Sequence, residues 1–164
     1  MTRVAVVSDT HLPRRGRSLP RRLVQECERA DRILHAGDFV RHAVLAELQA
    51  YGRVDGVLGN CDDLDLVGVV PETRVVEIDG VRIGMVHDAG AAAGRSARMA
   101  ARFPDCQVVV FGHSHQPLIE REGDLLLLNP GSAIDRRREP VCTMAVLELD
   151  GERLRASLVE LPPD

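Results

Sequence analysis

The apolar residues of this chain fall into short runs, and their order and spacing sort them into strands and helices. RVAVVS (3–8), RILHA (32–36) and DGVLG (55–59) read as strands bounded by polar or glycine-containing segments. LPRRLVQECER (19–29) and RHAVLAELQAY (41–51) read as the helices between them, with Ser18 placed to cap the first and Pro20 in its first turn. A strand–helix–strand–helix–strand opening predicts parallel pairing. The second half changes character. TRVVEIDGVRIGMVH sets Asp79-Gly80 between two alternating segments, which predicts a hairpin. GRSARMAARF (94–103) reads as a helix and CQVVVFG (106–112) as a buried strand, and two further hairpins are expected about Glu122-Gly123-Asp124 and Asp150-Gly151. A parallel α/β start followed by antiparallel strands fits a mixed sheet, or two packed sheets flanked by helices.

The polar residues that end these runs carry the chemistry. The first strand leads into Asp9-Thr10-His11, the second into Gly37-Asp38 and the third into Gly59-Asn60-Cys61-Asp62. VRIGMV leads into His87-Asp88, QVVVF into Gly112-His113-Ser114-His115, and LLLL into Asn129-Pro130-Gly131-Ser132. In open α/β sheets the carboxyl ends of the strands converge on the ligand crevice. That would gather Asp9, His11, Asp38, Asn60, His87, His113 and His115. Residues two apart in an extended segment point the same way, so Asp9 with His11, and His113 with His115, could each present two ligands together. Oxygen and imidazole donors without thiolate suit Mn, Fe, Ni or Zn in an open catalytic site. Seven donors exceed one tetrahedral ion, and two divalent ions sharing a carboxylate is the natural count. Such a pair clamps the attacking and leaving oxygens of a phosphoryl displacement.

Composition narrows the alternatives. The 164 residues suit one domain, 45% are hydrophobic, and all 21 cationic side chains are arginine. Without lysine, Schiff-base and P-loop chemistry are excluded. Aromatic residues make up 2% of the chain and the net charge is −4, so neither base stacking nor nonspecific binding to nucleic acid is favoured. Four scattered cysteines include no CxxC pair, the opening apolar run is too short for a signal peptide, and no stretch nears the ~20 apolar residues of a membrane span. A cytoplasmic protein with no membrane partner is expected, and a homo-oligomer is left open.

Taken in order, D-x-H (9–11), G-D (37–38), G-N-C-D (59–62), His87 and G-H-x-H (112–115) resemble the signature of the calcineurin-like metallophosphoesterase superfamily. The short length, Cys61 and the NPGS turn resemble its small prokaryotic phosphodiesterases. The resemblance implies a four-layer αββα sandwich spanning 1–164 as a single domain without a cap. It implies two divalent ions, manganese first: one on Asp9, His11 and His115, the other on Asn60, His87 and His113, with Asp38 bridging. It also implies that Asp38, Asn60, Cys61 and His113 serve catalysis, with a metal-bridging hydroxide attacking phosphorus in line in a small phosphoester substrate. Cys61 stands where many larger relatives carry a histidine assigned to leaving-group protonation. Asp88 stands where relatives usually have glycine. Phosphomonoester or nucleotide-polyphosphate hydrolysis is the near alternative, and a noncatalytic scaffold binding protein partners the distant one.

The remaining polar residues divide between site and surface. His35, inside the second strand, is expected to be structural or to support a ligand, and His42 to lie on the surface. Asp62 either orients a ligand or caps a helix. Asn129–Ser132 either approaches substrate or makes a turn. Arg136-Arg137-Arg138 could attract a phosphate diester or a nucleotide, but a charge run is usually a solvated face, and it is read as one here, as are Arg14, Arg15 and Arg17.

Overall fold

In the computed structural model, which describes residues 1–151 and 153–164, the apolar runs form two five-stranded sheets. The chain order is β1 (Thr2–Val7), α1 (Arg21–Glu28), β2 (Arg32–His35), α2 (His42–Tyr51), β3 (Val54–Gly56), β4 (Thr73–Ile78), β5 (Val81–Val86), α3 (Arg95–Arg102), β6 (Val108–Val110), β7 (Leu118–Glu122), β8 (Leu125–Asn129), β9 (Cys142–Asp150) and β10 (Arg153–Leu161). The first sheet runs β10-β9-β1-β2-β3, with β1, β2 and β3 parallel and β9 and β10 antiparallel. The second runs β4-β5-β6-β8-β7, with β5, β6 and β8 parallel and the hairpin partners β4 and β7 antiparallel at its edges. Hairpins join β4 to β5, β7 to β8 and β9 to β10, where the sequence places its turns.

Side-chain alternation stacks these sheets into four layers. Val4 and Val6 of β1, Ile83 and Met85 of β5, Val108 and Val110 of β6, and Leu126 and Leu128 of β8 meet in the core between the sheets. The alternate residues Ala5 and Val7 face the opposite way, onto Leu23 and Cys27 of α1 and Leu45 and Leu48 of α2. On the outer face of the second sheet, Val109 and Leu127 pack against Met99 of α3 and Phe103. Strands buried on both faces need no polar alternation, which is why β6 and β8 read as unbroken apolar runs. The result is an α/β sandwich, helices–sheet–sheet–helix. Among the described residues no helix is long and apolar enough to cross a membrane.

Ser18 does not cap α1. Pro20 holds the cap position with φ −56° and ψ 138°, and helical residues begin at Arg21. Proline disfavours helical backbone in the residue before it, and Leu19 is buried instead in the helix-side core.

Candidate metal centre

The carboxyl ends of β1, β2 and β3 and those of β5 and β6 open at the same end of the sandwich. Asp9, His11 and Asp38 from one sheet thereby face His87 and His115 from the other, all of them buried. Each acid has one oxygen fastened outside the cluster and the other turned toward the imidazoles. Asp9 Oδ2 accepts from the Ser8 hydroxyl (2.7 Å) and the His113 N–H (3.1 Å), and Asp38 Oδ1 accepts from the Cys61 N–H (2.8 Å). The imidazoles are aimed in the same way. The His87 Nδ1–H donates to Ala36 O (2.7 Å) and the His115 Nδ1–H to Asp135 O (2.6 Å), which turns both Nε2 atoms inward.

What converges has the dimensions of a coordination shell. Atoms about 2.1 Å from one ion and 90–109° apart are separated by about 3.0–3.4 Å. Asp9 Oδ1 lies 3.5 Å from His11 Nε2 and 3.4 Å from His115 Nε2, and those two nitrogens are 3.2 Å apart. On the other side, His87 Nε2 lies 3.2 Å from Asp38 Oδ2 and 2.9 Å from Asn60 Oδ1, which is 3.1 Å from His113 Nδ1. Asp38 Oδ2 is also 3.5 Å from His11 Nε2, so it borders both groups. Among the described residues the buried Asp9 Oδ1 has no hydrogen-bond partner. An anionic oxygen left unpaired away from water is costly, and a cation is the group that satisfies it. The donors present therefore fit a divalent ion on each side.

The doublets meet for a different reason from the one their spacing implies. Neither D-x-H nor H-x-H is extended: Asp9, His11, Asp38, His113 and His115 take positive φ of 53°, 44°, 61°, 69° and 59°. Left-handed backbone is uncommon outside glycine and clusters at functional sites. It sends the doublet apart, with His115 toward Asp9 and His11 and the half-exposed His113 toward Asn60. Glycines give these turns their room. A Cβ on Gly112 would strike Ser8 Oγ and come within 2.6 Å of Asp9 Oδ2.

Charge follows the same geometry. Burial disfavours ionising Asp9, yet the close approach of the His11 and His115 imidazoles and the charges of His87 and His115 hold its carboxyl well below the usual range. Burial likewise opposes Asp38, and its His87 partner outweighs it and lowers the carboxyl. His87 is raised to about 9: burial works against its charge, but the Asp38 hydrogen bond and the charges of Asp9 and Asp38 prevail. Burial and the Asp38 charge push the Cys61 thiol up.

Supporting residues fall in places that the sequence marks only in part. Asp62 is a positioning group: its carboxylate accepts from Gly59 N (2.7 Å), Val40 N (2.8 Å) and Asp38 N (3.2 Å), pinning the β2 and β3 loops together. Asn129 is fully buried and binds Gly112 O (3.1 Å), while the Ser132 hydroxyl donates to Asp9 O (2.7 Å), so the NPGS segment ties loops together and does not face solvent. Ser8, and the carbonyls of Ala36 and Asp135, carry no sequence signal, because a carbonyl is common to every residue.

His35 is structural. It is fully buried and stacked on Phe39 (3.5 Å between ring centroids), accepts from Gly37 N (3.1 Å) and donates through Nε2 to Thr10 Oγ1 (3.1 Å). Burial lowers it to about 3 from 6.5. The folded value lies below the unfolded one, so its contribution to stability is complete above about pH 6.5 and is lost as pH falls toward 3. Between pH 7 and 5 His35 should cost the fold about 2 kcal/mol that a His35→Gln variant does not lose. Urea unfolding of both proteins at the two pH values checks this, and equal losses would contradict it.

A two-sheet sandwich with this donor set at its strand ends defines a metal-centred phosphoesterase fold. The calcineurin-like phosphoesterase superfamily domain matches residues 2–152, and the chain belongs to that superfamily. A probable metallophosphoesterase of Methanothermobacter thermautotrophicus is 35% identical over 162 residues, 95% of this chain and 91% of its own length. A phosphodiesterase of Methanocaldococcus jannaschii is 24% identical over 172 residues, 96% of this chain and 99% of its own. Vacuolar protein sorting 29 of Cryptosporidium parvum superposes with a TM-score of 0.78 over 97% of both chains at 21% identity, a likeness of fold.

Proposed function

We propose that the protein is a phosphodiesterase dependent on two divalent ions, manganese being the first to test and iron, nickel and zinc the alternatives. Asp9, His11 and His115 would hold one ion, Asn60, His87 and His113 the other, and Asp38 would be shared. The observation that carries this reading is Asp9 Oδ1, a buried carboxylate oxygen without a hydrogen-bond partner, faced by the Nε2 atoms of His11, His87 and His115. When bound, such a pair of ions supplies charge neutralisation of phosphoryl oxygens and a hydroxide nucleophile near neutral pH.

The chain's own groups do the rest. Asp62 and Asn129 hold the loops in place, and the burial of Asp9, Asp38 and His115 keeps bulk water from the floor of the site. Asn60 and His113 form the open edge where a phosphoester would enter. Cys61, its thiol raised and its backbone N–H tied to Asp38, holds a proton at Sγ near that edge for the leaving group. A thiol is a weaker donor than an imidazolium, which suits esters with good leaving groups. The M. jannaschii phosphodiesterase supports the diester over the monoester or nucleotide polyphosphate. Four free cysteines support work in a reducing cytoplasm.

Purified protein with Mn²⁺ should hydrolyse bis(4-nitrophenyl) phosphate faster than 4-nitrophenyl phosphate, and a chelator should return the rate to background. Metal uptake without turnover of any phosphoester would instead favour a scaffold.

A further inference from the structure

The arginine run reads as a solvated face, yet it borders the candidate metal centre. Arg136, Arg137 and Arg138 form one wall of a cleft of about 240 Å³ whose other wall includes His115. The loop beneath them is fastened to that imidazole. Asp135 O accepts from His115 Nδ1 (2.6 Å), Asp135 N donates to Ser132 Oγ (2.9 Å), and Ser132 in turn donates to Asp9 O (2.7 Å). The turn closes on itself through Arg137 N to Asp135 Oδ1 (3.3 Å) and the Arg136 guanidinium to Glu139 O (2.7 Å). Two exposed guanidinium groups thus rise from a base fixed against a candidate ligand.

Their charge is not spent locally. Arg14 pairs with Asp63 (3.0 Å) and Arg15 with Asp135 (3.7 Å), whereas among the described residues Arg137 and Arg138 pair with no acid. Among the described residues Glu139 is the single acid lining the cleft, against three arginines. The cleft on the other flank, beside His113, is different: about 250 Å³, with the Asp88 carboxylate facing His113 Nε2 at 3.8 Å. Its one arginine, Arg95, is occupied by Gly90 O (3.0 Å) and by the ring of Phe111 (5.0 Å to the centroid). The centre therefore lies between a cationic flank and a flank where charges balance.

We infer that the Arg137–Arg138 cleft is a subsite for a second phosphate group on the substrate, on the arm of the ester that lies over His115. This rests on the phosphodiesterase reading and adds a substrate class to it: diesters carrying another phosphate, oriented by that group. Guanidinium groups bind phosphate through paired hydrogen bonds, and two at a partly exposed site give roughly a tenfold preference.

Titration calorimetry of the Mn²⁺-loaded protein with thymidine 3′,5′-bisphosphate and thymidine 5′-monophosphate tests this. The bisphosphate should bind about tenfold more tightly. The double variant Arg137→Gln/Arg138→Gln, at exposed positions, should abolish that preference and leave the monophosphate affinity unchanged. Equal affinities in the unaltered protein, or a variant that weakens both ligands alike, would overturn the subsite. The 4-nitrophenyl ester of thymidine 5′-phosphate, with and without a 3′-phosphate, gives the second arm: the preference should appear in KM. Turnover of both esters with equal KM counts against the subsite alone. Turnover of neither, with the binding preference intact, leaves the cleft a phosphate-binding site and counts against the phosphodiesterase reading on which the substrate class rests.

Discussion

Asp38→Asn should lower kcat/KM on a nitrophenyl phosphodiester by roughly 10³-fold and remove one equivalent of bound metal, while the thermal midpoint moves by only ~3 °C. The reasoning is local. Asparagine keeps the shape, and its Oδ1 can still accept from Cys61 N, so the β2–β3 junction stays closed. What changes is the second oxygen. Asp38 Oδ2, 3.2 Å from His87 Nε2 and 3.5 Å from His11 Nε2, becomes an uncharged amide nitrogen with no lone pair to offer a cation. Both donor groups lose their shared anion at once. Backbone contacts of the residue, including Asp38 N to Asp62, are untouched, so the fold has little reason to fail. A near-normal rate with unchanged metal stoichiometry would remove Asp38 from its shared role.

Gly59→Ala should damage both the fold and the candidate metal centre. A Cβ there would collide with Asp38 Oδ1 and the Asp38 backbone nitrogen and lie 2.8 Å from Asp38 Cγ. Backbone cannot retreat as a flexible side-chain tip can, and Gly59 is itself held by its N–H to Asp62 (2.7 Å). Relief requires moving the segment that carries Asn60 and Cys61 away from Asp38. We expect a loss of about 3 kcal/mol, on the order of 10 °C in midpoint, and failure to bind metal even where the protein remains folded. Gly52→Ala is the control, because its Cβ would meet Ile33 Cδ1 at an ordinary 3.7 Å. Equal behaviour of the two variants, by thermal melt and metal analysis, would mean that the Gly59 contact is not what shapes the site.

The strand-end motifs were legible because each apolar run stops where its strand leaves the core, and the polar residue that follows is then at the mouth of the sandwich. The three hairpins were legible for a related reason, since glycine beside an acid between alternating segments has few other uses. Two features take a different geometry in the packed molecule. The D-x-H and H-x-H doublets seemed extended, whereas left-handed residues deliver them. Ser18 seemed a cap, but Leu19 had a place in the core and Pro20 took the cap position. The arginine run is exposed, as its composition suggests, but nothing in RRR says that the loop before it is hydrogen-bonded to His115.

Hydrophobic periodicity and turn chemistry thus indicate an α/β chain with a parallel start and later hairpins, the family resemblance adds the four layers, and the ordered acids, amide and imidazoles nominate the donors, since burial and residue type are properties that each position carries alone. Only the packed molecule decided which oxygen of each acid is turned toward the imidazoles, which imidazole faces which partner, and how charge divides between the two flanks. Those depend on distances of about 3 Å between residues far apart in the chain, such as His11 and His115, which are 104 positions apart, and no local pattern encodes a separation of that kind.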